Sequence, residues 1–117
     1  MTTKMELETD KTDIFDEARN TINGPRAATY GPAIESFESI GRLWTTYLDR
    51  IDYNKDNTDL TPEDVANMMI LMKVSRAASG EYHRDNYVDI IGYAGLASQM
   101  IEGTKKNERT KNLTSRT

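Results

Sequence analysis

The 117-residue sequence has no cysteine, which excludes disulfide bridges and thiolate chemistry. A single histidine, His83, excludes a histidine-rich metal site and leaves no second imidazole for a catalytic pair. There is no P-loop and no G-x-G-x-x-G turn. Without a thiol or a nucleophile-plus-base pair, nucleophilic catalysis has no support. No run approaches the roughly 18 apolar residues of a membrane-spanning helix. The stretch from Met1 to Lys11 is polar and mixed in charge, unlike a signal peptide. A cytoplasmic protein is expected, with one domain and one modest core.

What is present is charge, unevenly placed. The net charge is −4. Residues 1–103 carry 10 Lys/Arg against 18 Asp/Glu, and residues 104–117 carry 5 against 1. An acidic body argues against non-specific binding of nucleic acid. Residues 1–11 read as a disordered leader, 12–103 as the helical domain and 104–117 as a basic disordered tail.

The apolar spacing is helical throughout, so the expected fold is all-α, a four-helix bundle-like single domain. The first helix spans about 12–22, buries Ile14, Phe15, Ala18 and Ile22, and is stopped by Asn23-Gly24-Pro25 with a left-handed Gly24. The loop 24–32 carries Arg26 and Tyr30 between glycine and proline residues, a common setting for ligand contacts. The second helix spans 32–51, with Phe37, Ile40, Trp44, Leu48 and Ile51 on one face. Residues 52–60 form a solvated loop. Thr61 caps a third helix over 62–79, with Pro62 at its first position and Glu63 and Asp64 in its first turn. A fourth helix spans 84–102, before Gly103.

The last two helices carry charges among their apolar residues. On a wheel of about 100° per residue, Arg76 falls within the stripe of Val65, Met68, Met69 and Met72, with Lys73 at its edge. Asp85 and Asp89 share a face with Val88, Gly92 and Leu96. Two cations and two carboxylates are thus expected to point inward, where unpaired charge is costly. The expected core is Phe15, Ile22, Phe37, Ile40, Trp44, Leu48, Val65, Met68, Met69, Met72, Val88 and Leu96. The fourth helix has a second stripe, Ile90, Ala94, Ala97 and Ile101. A helix apolar on two sides is buried on two sides, so a homo-oligomer through that stripe, most simply a dimer, is expected.

The motifs Arg26-(x3)-Tyr30-Gly31, Phe37-(x2)-Ile40, Leu43-Trp44, Asp64-Val65, Met68-Met69, Lys73-(x2)-Arg76, Asp85-(x3)-Asp89 and Gly92-Tyr93-Ala94 resemble a phage-encoded family of small helical proteins without established function. More distantly, the chain is similar to nucleotide-modification-associated domains and to the all-α MazG-like nucleotide pyrophosphohydrolases. The MazG-like resemblance implies magnesium held by Glu-x-x-Glu and Glu-x-x-Asp pairs. Glu35 and Glu38 match the first pair, whereas Asp85 and Asp89 are spaced one residue too far for the second.

Three functions follow as expectations. The first is a non-catalytic protein that binds a nucleotide-type small molecule, such as a phage decoy for a host nucleotide signal. Arg26, Tyr30, Lys73, Arg76 and Arg84 would meet the ligand, oriented by Asp85, Asp89 and Tyr93, with no cofactor. Arginine forks and lysine ammonium groups suit phosphate. The second is a magnesium-dependent pyrophosphohydrolase using Glu35, Glu38, Asp85 and Asp89. The third is a structural or interaction protein in which Lys73, Arg76, Asp85 and Asp89 only pair with one another.

Overall fold

The computed structural model of the chain describes residues 13–25, 31–55 and 57–115. They form α1 (Ile14–Asn23), α2 (Ala33–Arg50), α3 (Pro62–Ala78) and α4 (Arg84–Ser115). No strand occurs among the described residues, so the all-α expectation holds. The leader lies outside the described residues.

Local chemistry accounts for most boundaries. Asp13 caps α1: its Oδ1 accepts the Phe15 N–H at 2.9 Å. Gly24 follows α1 at φ −109°, not the left-handed value expected. Its role is steric, because a Cβ there would lie 2.7 Å from the Asn20 carbonyl oxygen. After α2, the Asp52 N–H donates to the Asp49 carbonyl and the Tyr53 N–H to the Leu48 carbonyl, each at 3.1 Å. This is a Schellman closure with Asp52 at φ 55° where glycine is usual. Beyond Gly103, α4 continues to Ser115. One interior glycine costs a helix only about 1 kcal/mol, and Lys105, Lys106, Glu108 and Arg109 favour the helix.

α3 is the middle layer, with α2 on one side and α4 on the other. Trp44 Nε1 donates to the Met68 carbonyl at 2.7 Å, and Ser75 Oγ to Ser39 Oγ at 2.8 Å. Later residues of α2 therefore meet earlier residues of α3, and the two helices are antiparallel. At the start of α3, Thr61 Oγ1 accepts the Asp64 N–H at 3.1 Å, and Asp64 Oδ2 accepts the Thr61 N–H at 3.0 Å. Asp64 Oδ1 also accepts the Tyr47 hydroxyl at 2.6 Å, while Asn67 Nδ2 donates to that hydroxyl oxygen at 3.1 Å. A capping box and an interhelical bond thus share one carboxylate.

The core is small. Ile40, Ala66 and Ala97 are the buried apolar residues among those described. Trp44, Leu48, Met68, Met69 and Met72 are half-buried, in line with the sequence pattern. Six other residues of the expected core are exposed: Phe15, Ile22, Phe37, Val65, Val88 and Leu96. The first two are open because all of α1 is exposed. Its apolar side and Phe37 border an open cleft of about 560 Å³.

The α4 wheel is rotated from the expected one. Asn86 and Ala97 are buried, and Asp89, Ile90, Tyr93 and Ile101 are half-buried. Asp85, Val88, Gly92 and Leu96 face outward. Most of the stripe assigned to subunit contact is therefore spent on packing within the protomer, and only Ala94 of that stripe is exposed. Both sides of α4 are apolar, and the side that faces α3 is the one that also carries Asp89, the ion-pair partner of Lys73 on α3.

Burial alone would raise the Asp64 pKa, but the bonds from Tyr47 and Thr61 outweigh it and hold the carboxyl below its ordinary 3.8. A depressed carboxyl stabilises the fold above its unfolded pKa, and that stabilisation is lost as pH falls through the folded value. Tyr47→Phe should therefore cost about 1–2 kcal/mol in urea unfolding near pH 7. The difference from wild type should begin to shrink as the pH drops below the unfolded carboxyl value of about 4 and should vanish as it passes through the lower folded value of Asp64.

Candidate functional site

The site is a polar layer between α3 and the first turns of α4. Lys73 Nζ lies 2.8 Å from Asp89 Oδ2. The Lys73 side chain is 14% exposed and that of Asp89 43%. This pair sets the antiparallel register. One turn further, Arg76 comes level with Asn86, and in the other direction Ala66 comes level with Leu96 and Ala97.

Asn86 is the most buried large side chain described, at 1% exposure. Among the described residues its Nδ2 has no hydrogen-bond partner. A buried donor without an acceptor costs about 1–3 kcal/mol. It sits in the first turn of α4, where its own backbone N–H donates to the His83 carbonyl at 3.1 Å and the positive end of the helix dipole adds to the demand for an acceptor. Just outside, the rings of Tyr82 and Tyr87 stack with centroids 6.0 Å apart and planes inclined by 23°. Both tyrosines are exposed.

Lys73, Asp89, Arg76 and Tyr93 all lie in or beside this layer, each at least half-buried. Arg84 and Asp85 are exposed on the side of α4 away from Asn86. Arg26 and Tyr30 lie outside the described residues. Glu35 and Glu38 are exposed on α2. Among the described residues no three His, Asp or Glu side chains come together as a metal site, so Glu35, Glu38, Asp85 and Asp89 do not converge within the protomer.

The sequence reading missed Asn86, Tyr82 and Tyr87. Asn86 precedes Asp89 by three residues and shares its face with Ile90 and Tyr93, a signal visible once the wheel is centred there. The Tyr82–Tyr87 stack joins a loop to a helix, which periodicity does not reveal.

Comparison with known proteins adds a family and two relatives. The profile of a family described as a domain of unknown function (DUF6378) matches residues 13–101. The chain is 46% identical over 87 residues to the Gene 55 protein of Mycobacterium phage L5, covering 74% of this chain and 51% of that protein. It is 37% identical over 95 residues to the Gene 55 protein of Mycobacterium phage D29, covering 81% and 58% respectively. The chain thus spans little more than half the length of these relatives. No solved structure matches.

The unequal burial of the Lys73–Asp89 pair makes its two halves unequal in consequence. Lys73→Met leaves a carboxylate that water can reach. Asp89→Asn strands a mostly buried ammonium. Asp89→Asn should be the more destabilising by roughly 1–2 kcal/mol in chemical unfolding, and equal losses would mean that the pair is solvated as a unit.

Proposed function

The chain belongs to the DUF6378 family, and we propose that it is a non-catalytic binding protein for a small phosphate-bearing ligand of nucleotide type, held where α4 begins against α3. The observation that carries this reading is the buried Asn86 amide, whose Nδ2 has no acceptor among the described residues. Lys73 and Arg76 bring positive charge to the same layer, and the start of α4 adds the positive end of its dipole. The carboxylate at Asp89 is already engaged by Lys73. A phosphoryl oxygen is the kind of acceptor that such a set takes. The exposed Tyr82–Tyr87 stack offers an aromatic face for a base.

Capture without turnover suits a chain with no cysteine, one histidine and no clustered acids among its described residues. The similarity to two mycobacteriophage proteins is consistent with a decoy that withholds a nucleotide signal from a bacterial host. A magnesium-dependent pyrophosphohydrolase would have to gather Glu35, Glu38, Asp85 and Asp89, three of which are exposed on two different helices.

Titration calorimetry against nucleoside mono-, di- and triphosphates and cyclic nucleotides, with and without magnesium, tests the proposal. Binding without product formation is expected. Asn86→Asp keeps the side-chain shape but replaces the donor with an anion, so it should weaken binding at least tenfold, about 1.4 kcal/mol; a buried carboxylate also costs stability, so circular dichroism checks that the variant is folded at the temperature of the titration. Magnesium-dependent release of pyrophosphate would replace this reading with the enzyme. Failure of every panel member to bind would leave the layer as a structural ion-pair network.

A further inference from the structure

The outward side of α4 is the least accounted-for surface of the protomer. Val88 is 50% exposed, Leu96 53% and Ile91 72%. Between them, added Cβ atoms at Gly92 and Gly95 would meet nothing within 4 Å. From Tyr87 to Leu96 the helix is apolar on the solvent side and, apart from Asp89, apolar on the α3 side as well. A helix apolar all round belongs in an interior.

We propose that the face of α4 formed by Val88, Ile91, Gly92, Gly95 and Leu96 is an isologous interface, and that its occupant is α4 of a second copy of this chain. Among the described residues only three apolar residues are buried, a thin core, so further burial must be supplied as the chain folds. A second copy is the partner always present then, at equal concentration. The face is also self-complementary when the two helices cross antiparallel at Gly92. Val88 then lies over Leu96 of the partner subunit, and the glycines let the backbones approach. Arg84 and Glu102 are exposed at opposite ends of the face. They stand about 12 and 15 Å from Gly92 along the axis, so Arg84 comes within reach of Glu102 of the partner subunit, twice by symmetry. The contact differs from one through Ile90, Ala97 and Ile101, which already pack within the protomer, and it leaves the Asn86 layer untouched.

Light scattering and sedimentation equilibrium on the full chain test this between about 1 and 100 µM, spanning ordinary dimer affinities. A dimer is expected for wild type. Leu96→Glu should abolish it or prevent folding. The exposed pair supplies variants that do not threaten the protomer: Arg84→Glu should raise the dissociation constant at least tenfold, and adding Glu102→Arg should restore it. A folded monomer at every concentration would overturn the proposal. So would a dimer that withstands Leu96→Glu, or an Arg84→Glu defect that Glu102→Arg does not repair.

Discussion

The carboxylate of Asp64 accepts the Thr61 backbone N–H with one oxygen and the Tyr47 hydroxyl with the other. The first bond closes the capping box that starts α3. The second lays α2 alongside it. A single ionised group therefore couples the start of one helix to the placement of another, and both effects depend on its charge. Burial also raises the Tyr47 pKa, and its bond to Asp64 adds to that rise, so the hydroxyl stays a donor. With α3 fixed at its first turn, the short connection over 79–83 returns the chain as α4, and Lys73 meets Asp89.

The helices were legible because their signals are local. Thr61-Pro62-Glu63-Asp64 is a complete start sequence, and the α2 pattern from Ile40 to Leu48 survives in the fold. The facing of α4 was not legible. Its residues offer two apolar sides, one through Val88 and Leu96 and one through Ile90 and Ala97. A helical wheel weighs both equally. What distinguishes them is a polar partner, Lys73 of α3 for Asp89 of α4, and that information lies on two helices at once. The same rotation explains why Lys73, Arg76 and Asp89 were found while Arg84 and Asp85 fell outside and Asn86 was overlooked. Phe15, Ile22 and Phe37 have the periodicity of core residues, yet periodicity states only that a face seeks cover, not that the same chain provides it.

Polar pairs mark both sides of the middle helix. Toward α2, Ser75 meets Ser39. Toward α4, Lys73 meets Asp89. Neither contact adds much net stability in a layer this thin, but each penalises a slip in helix register, because a slipped helix would bury an unpaired hydroxyl or ammonium. Apolar contacts among methionines are far more forgiving of such slips. Alignment in this protein rests on its few polar bonds, and close packing follows from them.

Trp44 is the only tryptophan in the sequence. It stands between α2 and α3 with its indole N–H on the Met68 carbonyl. Its environment is half-buried and apolar on one side, with a fixed dipole on the other. The tryptophan emission of the chain, excited to the red of its six tyrosines, is therefore the signal of a single joint. A red shift of that emission registers water reaching the joint as α2 parts from α3, whereas circular dichroism registers the helices whether or not they touch. The two optical signals separate loss of packing from loss of helix without any added label.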